Sequence, residues 1–207
     1  MLSYDYDDYV VSVVGSGDCA LKVLAVGGGG YGDYGGGGSG YHEYHQNISV
    51  VPGQTVIRAK VGYRGKSSDV LISGVTSIYA QPGEEGDKNY GGDGYSGGAD
   101  YAGDSLGHGY VGGTNGNDGE GPCGGKGTGG DISDYSFAGW TLSWGLGGSY
   151  TGNSEFYGGG GGGILIDGKG PTNYDEATGD GYGGGGQGVT YDDDGLEGVI
   201  LLEVESV

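Results

Sequence analysis

The sequence predicts an all-β protein in which a small β-sandwich framework carries packed, glycine-rich segments. Three observations lead to this prediction. Short runs of Val, Ile and Leu, bounded by turn residues, lie near both ends of the chain, as is typical of strands. Glycine accounts for 58 of the 207 residues, with only 4 prolines. No segment has a convincing helical period, although residues 137–146 have room for one helical turn.

The predicted strands are short and separated by turn residues such as the Gly-Ser-Gly-Asp sequence at 15–18. In chain order they are 9–14, 20–26, 47–51, 54–63, 70–79 and 199–207, with 164–166 as a further candidate. Because successive side chains of a strand point to opposite faces, Ile57 and Ala59 are expected on the face opposite to Arg58.

We expect a single domain built from three stretches: a β framework (1–82), a glycine- and tyrosine-rich insertion (83–163) and closing strands that complete the framework (164–207). The insertion contains only five residues of the Val, Ile and Leu types. So few aliphatic side chains cannot build an ordinary hydrophobic core.

The glycines need another source of order, because glycine loses more backbone entropy on folding than any other residue. Polyproline-II-like segments have no internal hydrogen bonds, so each N–H and C=O is available to a neighbouring segment. We therefore expect packed polyglycine segments with tyrosines at their ends or rims, in Gly-Tyr pairs at Tyr31, Tyr95, Tyr110 and Tyr182. The alternative is loose glycine loops that tyrosines tie down.

The formal net charge is −20, from 28 acidic and 8 basic residues. A polyanion repels nucleic acid and anionic lipid, so neither is an expected partner. Half of the basic residues fall within nine positions: Arg58, Lys60, Arg64 and Lys66. This cluster is either the solvated face of a strand or a docking strip for an acidic neighbour, including another copy of the chain.

Membrane insertion and a signal peptide are not expected. No window holds 18 apolar residues, and the first nine residues are acidic, whereas a secretion signal begins with basic residues. The two cysteines, Cys19 and Cys123, are compatible with one disulfide or with two free buried thiols.

No motif predicts an enzyme. Residues 103–107 match the G-x-S-x-G pattern, but they lack the strand before it and the helix after it. His42 and His45 would point to opposite faces of a surface strand and thus form no metal pair.

Acidic turns offer oxygen ligands of the kind that Ca²⁺ prefers, although none has the spacing of an EF-hand loop. The weak candidates are Asp87, Asp93, Asp118, Asp192 and Asp194. Solvated turns are the preferred interpretation, and no cofactor is expected.

Three stretches, 20–30, 51–62 and 195–202, carry a resemblance to a known family. They read ALKVLAVGGGG, VPGQTVIRAKVG and GLEGVILL, and a glycine-rich body lies between the second and the third. This layout resembles the glycine-rich domain of phage tail-fibre and bacterial surface adhesins. It is similar to that of the glycine-rich extracellular domain of anaplastic lymphoma kinase-type receptors, where a β-sandwich carries polyglycine helices. The resemblance implies binding or assembly rather than catalysis.

We therefore expect a non-enzymatic virion component, such as a tail fibre or surface adhesin, located on a virion or an extracellular surface. Its partners would be other virion or surface proteins and a host glycan or protein. One alternative is a self-assembling subunit of a fibre or shell whose N-terminal strand, 4–14, pairs with a neighbour's sheet edge. Another is a receptor-like ectodomain. The candidate contact residues are Tyr4, Tyr6, Tyr9, Arg58, Lys60, Arg64, Lys66, Tyr95 and Tyr110.

Overall fold

The computed structural model describes most of the chain as strands and extended segments, with no helix among the described residues. The described residues are 1, 8–15, 17–88, 90–99, 110, 112–121, 125–127, 132–148, 157–171, 178–186, 188 and 195–207. The strands are β1 (Tyr9–Ser12), β2 (Cys19–Val26), β3 (His42–Val50), β4 (Val56–Lys60), β5 (Ser68–Ile72), β6 (Thr76–Ala80), β7 (Leu142–Trp144), β8 (Ile164–Ile166) and β9 (Val199–Ser206). The all-β prediction is confirmed.

All strand pairs are antiparallel and form three sheets. The four-stranded sheet has the order β1-β4-β5-β6, and the three-stranded sheet has the order β3-β2-β9. A third sheet consists of β7 and β8 alone. Strands β2 and β9 of the three-stranded sheet pair along their whole length, which places residues 19–26 beside residues 199–206.

Two predicted elements are of a different kind in the structure. Residues 70–79, predicted as one strand, belong to the β5–β6 hairpin, because Gly74 turns the chain with a φ of 72° and Val75 N donates to Ile72 O at 3.0 Å. The prediction that residues 137–146 could form a helical turn is also wrong. Residues 142–144 form β7, which is held by its pairing with β8.

Strand β3 begins earlier than predicted, at His42, and contains a bulge. Its register against β2 shifts between Leu21 and Val23, and Asn47 adopts a φ of 59°. Asparagine tolerates this left-handed conformation better than most residues, and a bulge adds one residue to one strand.

One hydrophobic cluster joins the inward faces of the two larger sheets. Leu21 and Val23 of β2 pack there with Ile57 of β4, and each is at most 1% exposed. The alternation predicted for β4 is confirmed, since Ile57 and Ala59 are buried whereas Arg58 and Lys60 are exposed.

A second cluster lies on the opposite face of the three-stranded sheet. Leu24 and Leu201 pack there against Ile164 and Ile166 of β8. Strands β2 and β9 are therefore covered on both faces over much of their length. This accounts for the nearly continuous apolar runs in their sequences, because only a strand that alternates between core and solvent needs alternating polarity.

The glycine-rich segments are ordered by backbone hydrogen bonds. We use the term glycine lattice for residues 27–30, 35–41, 83–86, 91–99, 158–163 and 179–186. Successive N–H groups of residues 36–41 donate to three different neighbouring segments in turn, so residues that are three apart donate to the same segment. The pairs are Gly36 to Ala99, Gly37 to Gly186, Gly38 to Glu84, Ser39 to Ser96, Gly40 to Gly183 and Tyr41 to Gln81, at 2.8 to 3.0 Å.

Carbonyl groups between residues 34 and 41 accept hydrogen bonds from three other segments, and acceptors three residues apart receive them from the same segment. The acceptor–donor pairs are Gly36 with Gly92 and Ser39 with Tyr95, Gly38 with Gly30 and Tyr41 with Gly27, and Tyr34 with Gly158 and Gly37 with Gly161. A Cβ atom built on Gly37 would overlap the carbonyl oxygen of Gly30, and one on Gly98 would overlap that of Gly36. Glycine is thus required here by close backbone approach rather than by an unusual φ.

Ser68 links the two larger sheets through a buried hydroxyl. It is 0% exposed, donates to Val26 O at 2.6 Å and accepts from Gly62 N at 2.8 Å. Ser68→Ala would leave both backbone groups without this partner. We expect a loss of about 1–3 kcal/mol in the free energy of unfolding, measured by urea denaturation. Ser77→Ala on β6, at an exposed position, is the control and is expected to change stability by no more than about 0.5 kcal/mol.

Candidate binding surface

The outward side of the four-stranded sheet is the most distinctive exposed surface of the described chain. We call it the outer face and define it by Val10, Arg58, Lys60, Asp69, Leu71 and Tyr79, together with Asp8, which precedes β1. In register, Arg58 lies between Val10 and Leu71, and Asp69 lies between Lys60 and Tyr79. These residues project outward because their neighbours in sequence fill the core on the other side of the sheet.

Three large apolar side chains of the outer face are exposed: Val10 by 62%, Leu71 by 51% and Tyr79 by 55%. The solvent side of an antiparallel sheet is usually polar. Between β1, β4 and β5 the surface forms a shallow depression of about 140 Å³, lined by Asp8, Val10, Arg58, Lys60 and Leu71 among others. Such a surface is suited to contact with another macromolecule.

The charges of the outer face balance. Arg58 and Lys60 are offset by Asp8 and Asp69, on a chain whose net charge is −20. Among the described residues, the salt bridges involve Lys22 and His45, and none involves Arg58 or Lys60. The outer face is therefore much less acidic than the chain as a whole.

The predicted strip of four basic residues is divided by the fold. Arg58 and Lys60 lie on β4, which ends at Lys60, and the chain then turns at Gly65 with a φ of 63°. In this turn the Arg64 guanidinium lies 4.9 Å from the centre of the Tyr63 ring, and Lys66 is exposed. The prediction of one continuous strip is corrected, because the second pair belongs to a turn next to the glycine lattice.

The candidate tyrosines have different environments. Tyr95 is only 7% exposed, so it is corrected from a surface contact to a packing residue. Tyr9 is half-buried against the first hydrophobic cluster, and Tyr110 is half-buried with its carbonyl accepting from Gly159 N at 3.0 Å. Tyr4 and Tyr6 lie outside the described residues.

Tyr95 belongs to an aromatic layer that covers one side of β3. Its ring stacks on His42 with centroids 3.9 Å apart and on Trp144 at 4.9 Å. Further along β3, Tyr44 packs on Tyr135 at 4.7 Å. The sequence signal for this layer is the alternation of His42 and Tyr44 with the exposed Glu43 and His45, but its partners lie far away in sequence.

His42 is half-buried in this layer, although the strand that carries it is largely exposed, as predicted. Both of its ring nitrogens are buried without a hydrogen-bond partner among the described residues. Burial lowers the pKa of His42 from 6.5 to about 3. His45 points the other way, is exposed and lies 3.4 Å from the Glu43 carboxylate. The prediction that the two histidines take opposite faces is confirmed.

Three of the predicted calcium ligands use their carboxylates to accept hydrogen bonds from backbone N–H groups. Asp87 accepts from Tyr90 N at 3.0 Å, Asp93 from Lys126 N at 2.6 Å and Asp118 from Gly127 N at 2.8 Å. No cluster of three or more His, Cys, Asp or Glu residues suited to a metal ion occurs within the described part of the chain. Asp192 and Asp194 lie outside it.

Cys19 is a half-buried free thiol whose sulfur lies 3.8 Å from Gly17 O. Cys123 and the G-x-S-x-G match at 103–107 lie outside the described residues.

No family model, curated protein or solved structure matches this chain. Within the described residues, no helix has the length and apolar character needed to cross a membrane.

Proposed function

We propose that the chain is a non-enzymatic structural and adhesion protein of a virion or an extracellular surface, and that it presents recognition loops to a host glycan or protein. Its framework would be a β-sandwich, and its glycine lattice a bundle of polyproline-II-like helices. The observation that carries this proposal is the period of three in the hydrogen bonds of residues 36–41.

A polyproline-II helix has three residues per turn, so its N–H groups point in three directions in rotation. A lattice of such helices connects each segment to several neighbours and needs no side-chain core. The sharing of one hydrophobic cluster by the two larger sheets supports the sandwich. A rigid backbone lattice of this kind is suited to holding loops in fixed positions.

The contacts made by the acidic and histidine side chains support a structural role. Asp87 closes a turn by accepting from Tyr90 N, and Asp93 joins two distant segments by accepting from Lys126 N. His42 packs in the aromatic layer with a pKa of about 3. The described residues 84–88 and 90 instead offer side chains suited to recognition. Glu84, Glu85 and Asp87 are exposed there, and Tyr90 is 57% exposed. Rigid aromatic residues of this kind give contact area at low entropic cost.

The proposal is tested by binding of the labelled, purified chain to a glycan array and to intact bacterial cells. We expect saturable binding that Tyr90→Ala weakens at least about tenfold, whereas Leu146→Ala, at an exposed position outside both residues 84–90 and the outer face, leaves it unchanged. Wild-type protein that binds neither the array nor the cells would overturn adhesion. Unaltered binding by Tyr90→Ala would overturn the assignment of recognition to residues 84–88 and 90.

Self-assembly into a fibre or shell is the second candidate, and the edge position of β1 favours it. Strand β1 lies at the border of its sheet and pairs only with β4 among the described strands. Deleting residues 1–14 would be a poor test, because β1 and the core residue Val13 (4% exposed) would be lost. Removing residues 2–7 preserves both and tests the part of the predicted pairing strand that precedes β1. Fibres that form unchanged without residues 2–7 would exclude pairing by those residues.

A further inference from the structure

We propose that the outer face of the four-stranded sheet is an interface between two copies of this chain, which pack face to face about a two-fold axis. This inference goes beyond the proposed function, since neither adhesion nor pairing of strand edges requires it.

The apolar part of the argument rests on Val10, Leu71 and Tyr79. They lie on strands β1, β5 and β6 of one sheet, and each exposes more than half of its surface. Burying apolar area contributes roughly 25 cal/mol per Å², so a patch of this kind favours contact with a second apolar patch. Pairing with an identical copy supplies that patch, and sheets commonly pack with their faces together.

The charge pattern identifies the partner as a second copy. In a two-fold interface residue i of one copy meets residue j of the other, and j meets i in return. The outer face carries both members of such pairs, since Arg58 and Lys60 can approach Asp8 and Asp69 of the other copy. The face is thus complementary to itself, whereas a purely acidic or purely basic partner would meet two like charges.

The rest of the molecule limits where two copies can meet. Two chains of net charge −20 repel each other, and they do so least where the local charge is balanced. The repulsion between distant charges is screened by salt, with a Debye length of about 30 Å at 0.01 M and about 8 Å at 0.15 M. We therefore expect tighter dimers at 0.15 M salt than at 0.01 M salt.

The experiment is sedimentation velocity of the full chain over a range of concentrations at 0.15 M salt. We expect a monomer–dimer equilibrium that Leu71→Asp weakens at least about tenfold. Leu146→Asp is the matched control, because Leu146 is 66% exposed and lies outside the four-stranded sheet. It is expected to leave the dissociation constant unchanged. Circular dichroism of each variant establishes that it is folded.

Charge reversal gives the sharper test. The double variants Arg58→Asp/Lys60→Asp and Asp8→Lys/Asp69→Lys are each expected to be monomeric, while their equimolar mixture forms a heterodimer. Both variants stay strongly acidic, so general attraction between them would not produce that result.

A wild-type chain that is monomeric at every concentration, or a mixture that does not associate, would overturn the proposal. Dimers unaffected by Leu71→Asp would place the interface elsewhere. Binding of the monomeric variants to glycans and cells is measured in a separate experiment. The proposed function can therefore still be tested if no dimer is found.

Discussion

Replacing Gly37 with alanine is expected to destabilise the protein by about 3 kcal/mol or more, enough to unfold a domain of ordinary stability when combined with mild denaturant. The new Cβ would overlap the carbonyl oxygen of Gly30. A flexible side chain could rotate away from such a contact, but a backbone carbonyl cannot move without its segment. Gly37 N also donates to Gly186 O and its carbonyl accepts from Gly161 N, so a shift would strain both bonds.

Chemical denaturation followed by circular dichroism measures this effect. The matched control is Gly74→Asn in the β5–β6 turn, where a Cβ would meet no atom within 4 Å. The φ of 72° at Gly74 is a conformation that asparagine tolerates, so we expect a loss of about 1 kcal/mol or less. Equal losses in the two variants would show that close backbone packing is not what requires glycine at position 37.

The second large effect is a loss of stability on acidification that His42 causes. Its pKa is about 3 in the folded protein, against an ordinary value of 6.5. Below pH 6.5 the unfolded chain therefore binds a proton that the folded chain does not, and the stability falls with pH until the folded pKa is reached. Between pH 7 and pH 5 this contribution amounts to roughly 2 kcal/mol.

His42→Phe isolates the contribution, because phenylalanine keeps an aromatic ring against Tyr95 and Trp144 and has no group to protonate. We expect the difference in unfolding free energy between the variant and the wild type to grow in favour of the variant as the pH falls from 7 to 5. His45→Gln, at an exposed position, should keep the wild-type pH dependence. A difference between wild type and His42→Phe that is constant with pH would contradict the burial of an uncharged His42.

Individual residues show how far prediction from the sequence extended. The position of Ile57 and Ala59 in the core followed from alternation alone, since a strand has a fixed period of two. The burial of Tyr95 did not follow, because the rings that cover it, His42 and Trp144, are about fifty residues away on either side. The hairpin at 70–79 was missed although Ser73 and Gly74 are turn residues, because Val, Ile, Thr and Tyr on both sides of them favour strand throughout the run.

The outer face also shows which features could be predicted from the sequence and which could not. The cluster of basic residues at 58–66 was visible in the sequence, but its separation into a strand pair and a turn pair was not. The partners that balance it are Asp69, on the neighbouring strand β5, and Asp8, which directly precedes β1, so their relation to Arg58 and Lys60 depends on register. Register is set by strand pairing between distant parts of the chain.

The sequence by itself determined the all-β class and the alternation within strands, because these depend on local composition and period. Only the tertiary structure decided which segments bond to 36–41, which glycines exclude a Cβ and which side chains share the outer face. Those features arise from contacts between residues distant in sequence. Glycine has no side chain, so a glycine-rich segment has no polar and apolar pattern from which its contacts could be predicted.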